Sequence, residues 1–346
     1  MSSKGTILIT GLNGYLAGRV AETALKAGYH VRGTVRNLTA GAEAQKALQD
    51  LGYGGGTEVV QVSDMTEPGA FDQAVIGCTA IIHLAAPVDA VFKLQPPAVV
   101  AMAKAGTKSI LESASRAGPQ LRTLVLMSSV AAVFNVLPEP GVYTEKDWNT
   151  NSEKAIEDLG AEAGFLHAYC ASKTASERMF WRFKEEQKPQ FSMTAIQATY
   201  FLGPPLVPWK TAEQVPISLT NLFNVLQGKA LPESMFLYEG TIDIRDVARV
   251  ILWSVQNPEK ANGERYLCSS ARGGPQAIAD ILNKHMPQVG AVKGNPGQGY
   301  KPGYPPTDDK IAFDGSKAVQ ATGQGYIPYE TSVLDTAKVL LQLLGK

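Results

Sequence analysis

Apolar residues in the first two-thirds of the chain fall into short β-branched runs separated by longer stretches with helical spacing. The runs at 6–10, 30–35, 58–62, 80–84, 123–127 and 191–198 predict strands, and the stretches at 14–27, 42–51, 70–76, 97–117 and 163–187 predict helices. Several runs are apolar without interruption, as in Ile7-Leu8-Ile9, which is the pattern of a parallel sheet covered on both faces. The alternation predicts an α/β fold built on a doubly wound parallel sheet.

Beyond Leu202 the rhythm changes. Gly203-Pro204-Pro205 and Pro208 interrupt it, and helices are expected at 246–256, 275–285 and 331–344 with few strong strands between them. The Gly/Pro-rich stretch 287–306 reads as a long loop. The pattern divides the chain into a sheet domain over 1–202 and a smaller lobe over 203–346, with 242–268 returning to the sheet.

Composition narrows the function classes. The chain has 346 residues, 45% hydrophobic and 18% charged, enough for a substantial buried core. Its 32 basic and 32 acidic residues cancel, which argues against nucleic acid or an anionic membrane as partner. No apolar stretch approaches the roughly 20 residues of a membrane span, and no signal-type apolar segment opens the chain. Cys78, Cys170 and Cys268 are odd in number and far apart, without metal-ligand spacing. No metal site and no disulfide framework are expected, and the expected compartment is the cytoplasm.

The first predicted strand runs into Gly11-Leu12-Asn13-Gly14-Tyr15-Leu16-Ala17. Glycine at 11 permits a sharp turn, and glycine at 14 lets backbone N–H groups approach a pyrophosphate at a helix N-terminus. Small Ala17 lets that helix sit close to the strand. Gly11, Asn13, Gly14, Tyr15 and Leu16 are therefore candidates for binding a dinucleotide. The second strand ends Val31-Arg32-Gly33-Thr34-Val35-Arg36, with none of the acid that would hold a ribose 2′-hydroxyl. An arginine there suits a 2′-phosphate instead, so NADP⁺/NADPH is the expected cofactor, with Arg36 the first choice and Arg32 the second. Asp64 and Met65 would lie near the adenine, and Ala85 and Ala86 beside the cofactor ribose. His83, within an apolar strand, reads as a core histidine.

Tyr169-Cys170-Ala171-Ser172-Lys173 places a phenol and an ammonium one helical turn apart on one face. A neighbouring cation is expected to draw the tyrosine pKa down from about 10 toward a useful range. Lys173 can also bond the nicotinamide ribose. Ser129, with Ser128 as alternative, follows the fifth strand at the carboxyl end of the sheet, where open α/β folds bind ligands. Phe165, Tyr200 and Phe201 are candidates for the substrate pocket. Cys170 reads as a packing residue.

With these residues in place, the chain resembles an extended short-chain dehydrogenase/reductase of the dihydroflavonol reductase-like group, with its fungal methylglyoxal and carbonyl/aldehyde reductases. The resemblance runs nearly end to end. It is carried by 10–17, 31–36, Met127-Ser128-Ser129-Val130-Ala131-Ala132-Val133, 169–173 and Ile242-Asp243-Ile244-Arg245-Asp246-Val247-Ala248. It implies a Rossmann fold with a substrate-binding lobe, and a catalytic triad of Ser129, Tyr169 and Lys173. It also implies NADPH-dependent reduction of an apolar or aromatic aldehyde or ketone by a monomer or homodimer. The same residues suit an oxidising hydroxysteroid-type dehydrogenase. Epimerases and dehydratases of the superfamily usually keep NAD, and non-catalytic dinucleotide sensors typically lose the tyrosine or lysine. Two departures stand out: Gln197-Ala198-Thr199-Tyr200 replaces the usual Asn-Pro, and the helix around 101–107 lacks the asparagine many relatives carry.

Overall fold

The computed structural model of the chain describes residues 3–228, 231, 240–307 and 310–345. Among these the strands are β1 (Thr6–Thr10), β2 (His30–Val35), β3 (Thr57–Gln61), β4 (Cys78–His83), β5 (Thr123–Met127), β6 (Gly141–Tyr143), β7 (Ser192–Ala198), β8 (Tyr200–Leu202), β9 (Gly240–Asp243), β10 (Arg265–Cys268), β11 (Ala271–Arg272) and β12 (Ile311–Phe313). Seven of them form one parallel sheet in the order β10-β7-β5-β4-β1-β2-β3.

The uninterrupted apolar runs are explained by the two faces they serve, because successive side chains along a strand point to opposite sides. Ile7 and Ile9 pack on one face with Val20 and Ala21 of the Tyr15–Lys26 helix and with Val247 and Ile251 of the Ile244–Gln256 helix. Leu8, between them, joins Ile110 and Leu111 of the Pro96–Arg116 helix and Phe180 of the Gly164–Gln187 helix on the other face. The chain winds outward from β1 through β2 and β3, then returns to place β4 on the other side of β1. The crevice beyond the carboxyl ends of β1 and β4 is thus the point where the winding reverses, the usual ligand site of such sheets.

A separate apolar core fills the smaller lobe, built from Leu202, Leu222, Leu226, Ile278, Leu282, Tyr329, Val333 and Leu340. Asp243 ties this lobe to the sheet domain. Its carboxylate caps the Ile244–Gln256 helix at the Arg245 N–H (2.9 Å), pairs with the Arg245 guanidinium (2.8 Å) and accepts from the Ser332 hydroxyl of the Tyr329–Leu343 helix (2.7 Å).

The six expected strands all form, β1, β2 and β5 with the bounds read from the sequence. The second helix, Leu38–Asp50, starts earlier than its apolar pattern implies because Asn37 caps it, accepting from the Thr39 N–H at 2.8 Å. Unforeseen are the Ser152–Leu159, Thr220–Leu226, Pro258–Ala261 and Ser316–Thr322 helices and the short strands β6, β8, β9, β11 and β12. Strand β10 extends the main sheet beyond β7. No described helix is long and apolar enough to cross a membrane.

Candidate active site

The glycine turn sits at the reversal point. Gly11 has φ +72°, in the left-handed region that suits glycine, and its carbonyl accepts the Gly14 N–H at 2.9 Å. A Cβ on Gly14 would press to 3.1 Å from that same oxygen. The Tyr15–Lys26 helix begins with no side-chain cap and no acid in its first turn, so its leading N–H groups have no internal anion to satisfy them. Asn13 and Gly14 are exposed at the turn, while Leu16 is buried in the sheet core. The Tyr15 side chain departs from the cofactor role expected of it. Its hydroxyl donates to the Gly203 carbonyl, and its ring packs edge-on against Phe201 and Trp209. Only the backbone of residue 15 remains for an anion.

The two arginines of β2 separate cleanly. Arg36, just past the strand, is exposed and makes no side-chain hydrogen bond or ion pair among the described residues. Arg32 lies mid-strand and is taken up elsewhere, which corrects its candidacy for a phosphate. It pairs with Glu58 of β3, and its guanidinium donates to the carbonyls of Ala74 (2.9 Å) and Ile76 (2.6 Å). Asp64 is exposed and accepts from the Thr66 N–H and hydroxyl at 2.8 and 2.6 Å, which holds its carboxyl below the usual carboxylate range. One of its oxygens thus shapes the loop.

Met65, Ala85 and Ala86 line an open cleft, together with His83, Ser128, Tyr169 and Lys173. Thr10 organises its floor. The Thr10 hydroxyl oxygen accepts the N–H groups of Leu84 (3.0 Å) and Ala85 (2.9 Å), leaving its own proton for His83 Nδ1 at 3.0 Å. The ring proton of His83 therefore sits on Nε2. Burial, with Lys173 facing it, brings the His83 pKa down to about 3, so the ring is neutral, the core histidine the strand pattern implied.

Tyr169 and Ser129 meet here. The phenol donates to the Ser129 Oγ at 3.4 Å across 40 residues of sequence, and Ser129 also accepts from the Ala131 N–H at 3.2 Å. Burial pushes the Tyr169 phenol above its ordinary value, opposed by the Ser129 hydrogen bond. The expected lowering by Lys173 is not seen: burial raises the phenol, and the influence set against it comes from Ser129, not from Lys173. Lys173 itself is brought down to about 8 by burial, against the pull of Glu177.

Ser128 does not share the serine role. Its hydroxyl donates to Glu177, which removes it as a free donor in the cleft. Glu177 is fully buried and also accepts from Gln197 (2.6 Å), Trp181 (3.2 Å) and Arg265 (2.7 Å). The Arg265 guanidinium carbon lies over the Trp148 ring, 3.8 Å from its centroid. Sequence reading passed over this carboxylate, although its place four residues after Lys173 puts it on the same helical stripe. Its partners just past β5 and on β7 and β10 leave no local trace. Of the other pocket candidates, Phe165 is exposed and stacks on Phe92 with centroids 6.1 Å apart, and Phe201 packs on Tyr15. Tyr200 borders a second cavity. Cys170 is buried, with its thiol pushed up to about 12 by burial, as befits a packing residue.

A seven-stranded parallel sheet with a glycine turn at its reversal point and a tyrosine–serine pair beside it defines a dinucleotide-dependent oxidoreductase type of site. A family model described as the NAD dependent epimerase/dehydratase family matches residues 7–269. The chain belongs to this family, the extended short-chain dehydrogenases/reductases. An uncharacterized oxidoreductase of Schizosaccharomyces pombe is 33% identical over 86% of both chains. The NADPH-dependent methylglyoxal reductase of Saccharomyces cerevisiae is 28% identical over 99% of both. The solved structure of yeast methylglyoxal/isovaleraldehyde reductase complexed with NADPH superposes with a TM-score of 0.85 at 25% identity, covering 98% of this chain and 99% of that one.

Proposed function

We propose that the protein is an NADPH-dependent carbonyl reductase that converts an aldehyde or ketone to the alcohol. The observation that carries this reading is the Tyr169–Ser129 contact at 3.4 Å, in the cleft that Lys173 lines beyond β4 and β5. The names of the relatives support the reaction class and the cofactor.

The residues present fit such a cofactor. The turn from Gly11 through Asn13 to Gly14 and the uncapped N–H groups after it take the pyrophosphate, and exposed Arg36 takes the 2′-phosphate. Asp64 and Met65 flank the adenine, and Ala85, Ala86 and Lys173 the ribose nearer the cleft. The bound nicotinamide supplies the hydride. Ser129 holds the substrate oxygen by hydrogen bonding. Tyr169 keeps its proton at neutral pH, because burial raises its pKa, and releases it to the more basic alkoxide as charge develops. Lys173 keeps a positive charge against the resulting phenolate up to about pH 8.

We assign cofactor binding to 1–202 with 242–268, and substrate binding to the rest of 203–346. Three free, buried cysteines support a reducing, cytosolic setting for a monomer or homodimer. The test is Tyr169→Phe. NADPH oxidation with a panel of aldehydes and ketones should fall by about 10²–10⁴-fold, with NADPH affinity retained. Full turnover in the variant would remove the mechanism.

A further inference from the structure

Glu177 is a fully buried carboxylate on the Gly164–Gln187 helix, and no step of the proposed reaction uses it. Four donors hold it. Its Oε1 accepts from the Gln197 amide (2.6 Å), the Arg265 Nε (2.7 Å) and the Trp181 indole (3.2 Å), and its Oε2 accepts from the Ser128 hydroxyl. The donors come from β7, from β10, from the next turn of the same helix and from the corner just past β5. One oxygen is therefore saturated between helix and sheet, while the other meets Ser128, a residue of the cleft wall. Hydrophobic residues of similar volume often replace such a buried ion pair without loss of stability, so stability alone does not explain this one.

Lys173 is the group it can serve. It stands four residues before Glu177, one helical turn away on the same stripe, and lines the cleft beside Ser128 and Tyr169. Among the described residues its ammonium makes no hydrogen bond or ion pair. Around it, the His83 ring of β4 is neutral, Tyr169 keeps its proton, and the Pro96–Arg116 helix presents Ala103 and Thr107 to the cleft. The neighbouring carboxylates are engaged elsewhere: Glu153 of the Ser152–Leu159 helix pairs with Arg178 (3.3 Å), and Glu145 accepts the Leu267 N–H (2.9 Å). Glu177 is the anion that acts on Lys173, and its attraction opposes the burial that draws the lysine down.

We infer that Glu177 is a positioning residue of the reaction, an anion fixed by its four donors so that the Lys173 ammonium is held charged beside Tyr169. This rests on the reductase reading for what Lys173 does, and on the cage around Glu177 for the rest. Arg265 makes the burial of the carboxylate tolerable, and the carboxylate in turn acts on the lysine across one turn of helix. Without it, the phenolate formed at Tyr169 would lose its cationic support at a lower pH.

The experiment compares Glu177→Gln, which keeps the shape and an accepting oxygen but not the charge, with Glu177→Asp, which keeps the charge on a shorter stem. Two readouts are taken over a pH series: the alkaline limb of kcat for reduction of an aldehyde or ketone, and the ε-carbon resonance of Lys173 in protein labelled with ¹³C-lysine, identified by its absence from Lys173→Met. In the wild type both should have midpoints near pH 8. Glu177→Gln should move both down by about one pH unit or more, the effect expected of one neighbouring charge. Glu177→Asp should melt lower yet leave both close to the wild type. If Glu177→Gln does not fold, the double variant Glu177→Gln with Arg265→Met, which removes both buried charges together, carries the same test in the same direction. Should the resonance move as expected while no carbonyl compound is reduced by the wild type, the reductase reading falls and the action of Glu177 on Lys173 stands. A Lys173 midpoint unmoved by the loss of the charge, whatever happens to activity, overturns the inference, because the carboxylate would then serve the fold alone.

Discussion

Replacing Arg36 with alanine tests which residue distinguishes the two nicotinamide cofactors. The exposed Arg36 side chain has no hydrogen bond or ion pair among the described residues, so its loss should leave the melting temperature essentially unchanged. In the proposed complex its guanidinium makes at least one charge-assisted hydrogen bond to the 2′-phosphate, a contact of about 1.5–3 kcal/mol. At 1.4 kcal/mol per decade that is roughly a 10- to 150-fold loss of NADPH affinity. NADH has no 2′-phosphate, so its affinity should not move. Arg32→Ala should do the reverse. It removes the pair with Glu58, whose side chain is 55% exposed and therefore weakly coupled, and leaves the Ala74 and Ile76 carbonyls short of a donor. A cost of about 1–2 kcal/mol in stability follows, with the cofactor ratio untouched. Equilibrium titration of both cofactors by fluorescence, alongside thermal melts, reads every quantity. Raising the salt should erode the Arg36 contribution, since that contact is open to counterions. If Arg32→Ala relaxed the cofactor preference and Arg36→Ala left it alone, the reasoning would be refuted.

Two further outcomes follow from the cleft. Ser129→Ala should cost about 10²-fold or more in kcat by removing a hydrogen bond to the developing oxyanion, whereas Ser128→Ala should mainly lower the melting temperature, because its hydroxyl serves Glu177; equal kinetic damage from both would sink the distinction. For Lys173, burial sets the folded pKa near 8, below the unfolded lysine value of about 10.4, so the unfolded chain binds the extra proton between those limits and stability rises with pH across that window. Turnover should fall as pH climbs through about 8, while Lys173→Met should be inactive yet melt higher at neutral pH; a lower-melting variant would show that the ammonium stabilises the fold.

What the chain reveals in one dimension depends on how local the cause is. β1 and β5 were legible because both faces of each strand are covered and the run stays apolar between its ends, and β2 because Val31, Thr34 and Val35 carry a β-branched signal past Arg32. Strands β6 and β12 were not, since three-residue strands such as Gly141-Val142-Tyr143 are too short to carry a periodic signal. At the site, Tyr169 and Lys173 were visible because helical geometry converts a spacing of four into a shared face. The serine and arginine choices were not settled by sequence. Glu177 takes Ser128 while Tyr169 meets Ser129, and Glu58 with the Ala74 and Ile76 carbonyls takes Arg32 while Arg36 stays exposed, partners that folding brings in from far along the chain.

The buried carboxylate at 177 has a consequence for when activity can arise. Its counter-charge, Arg265, belongs to the outermost strand of the sheet and lies 88 residues downstream. Until that strand docks, the helix carrying the tyrosine and lysine would have to hold an uncompensated negative charge in the interior, a state costing several kcal/mol. A fragment ending before residue 265 should therefore be catalytically silent, and turnover should report that the sheet has closed to its last edge.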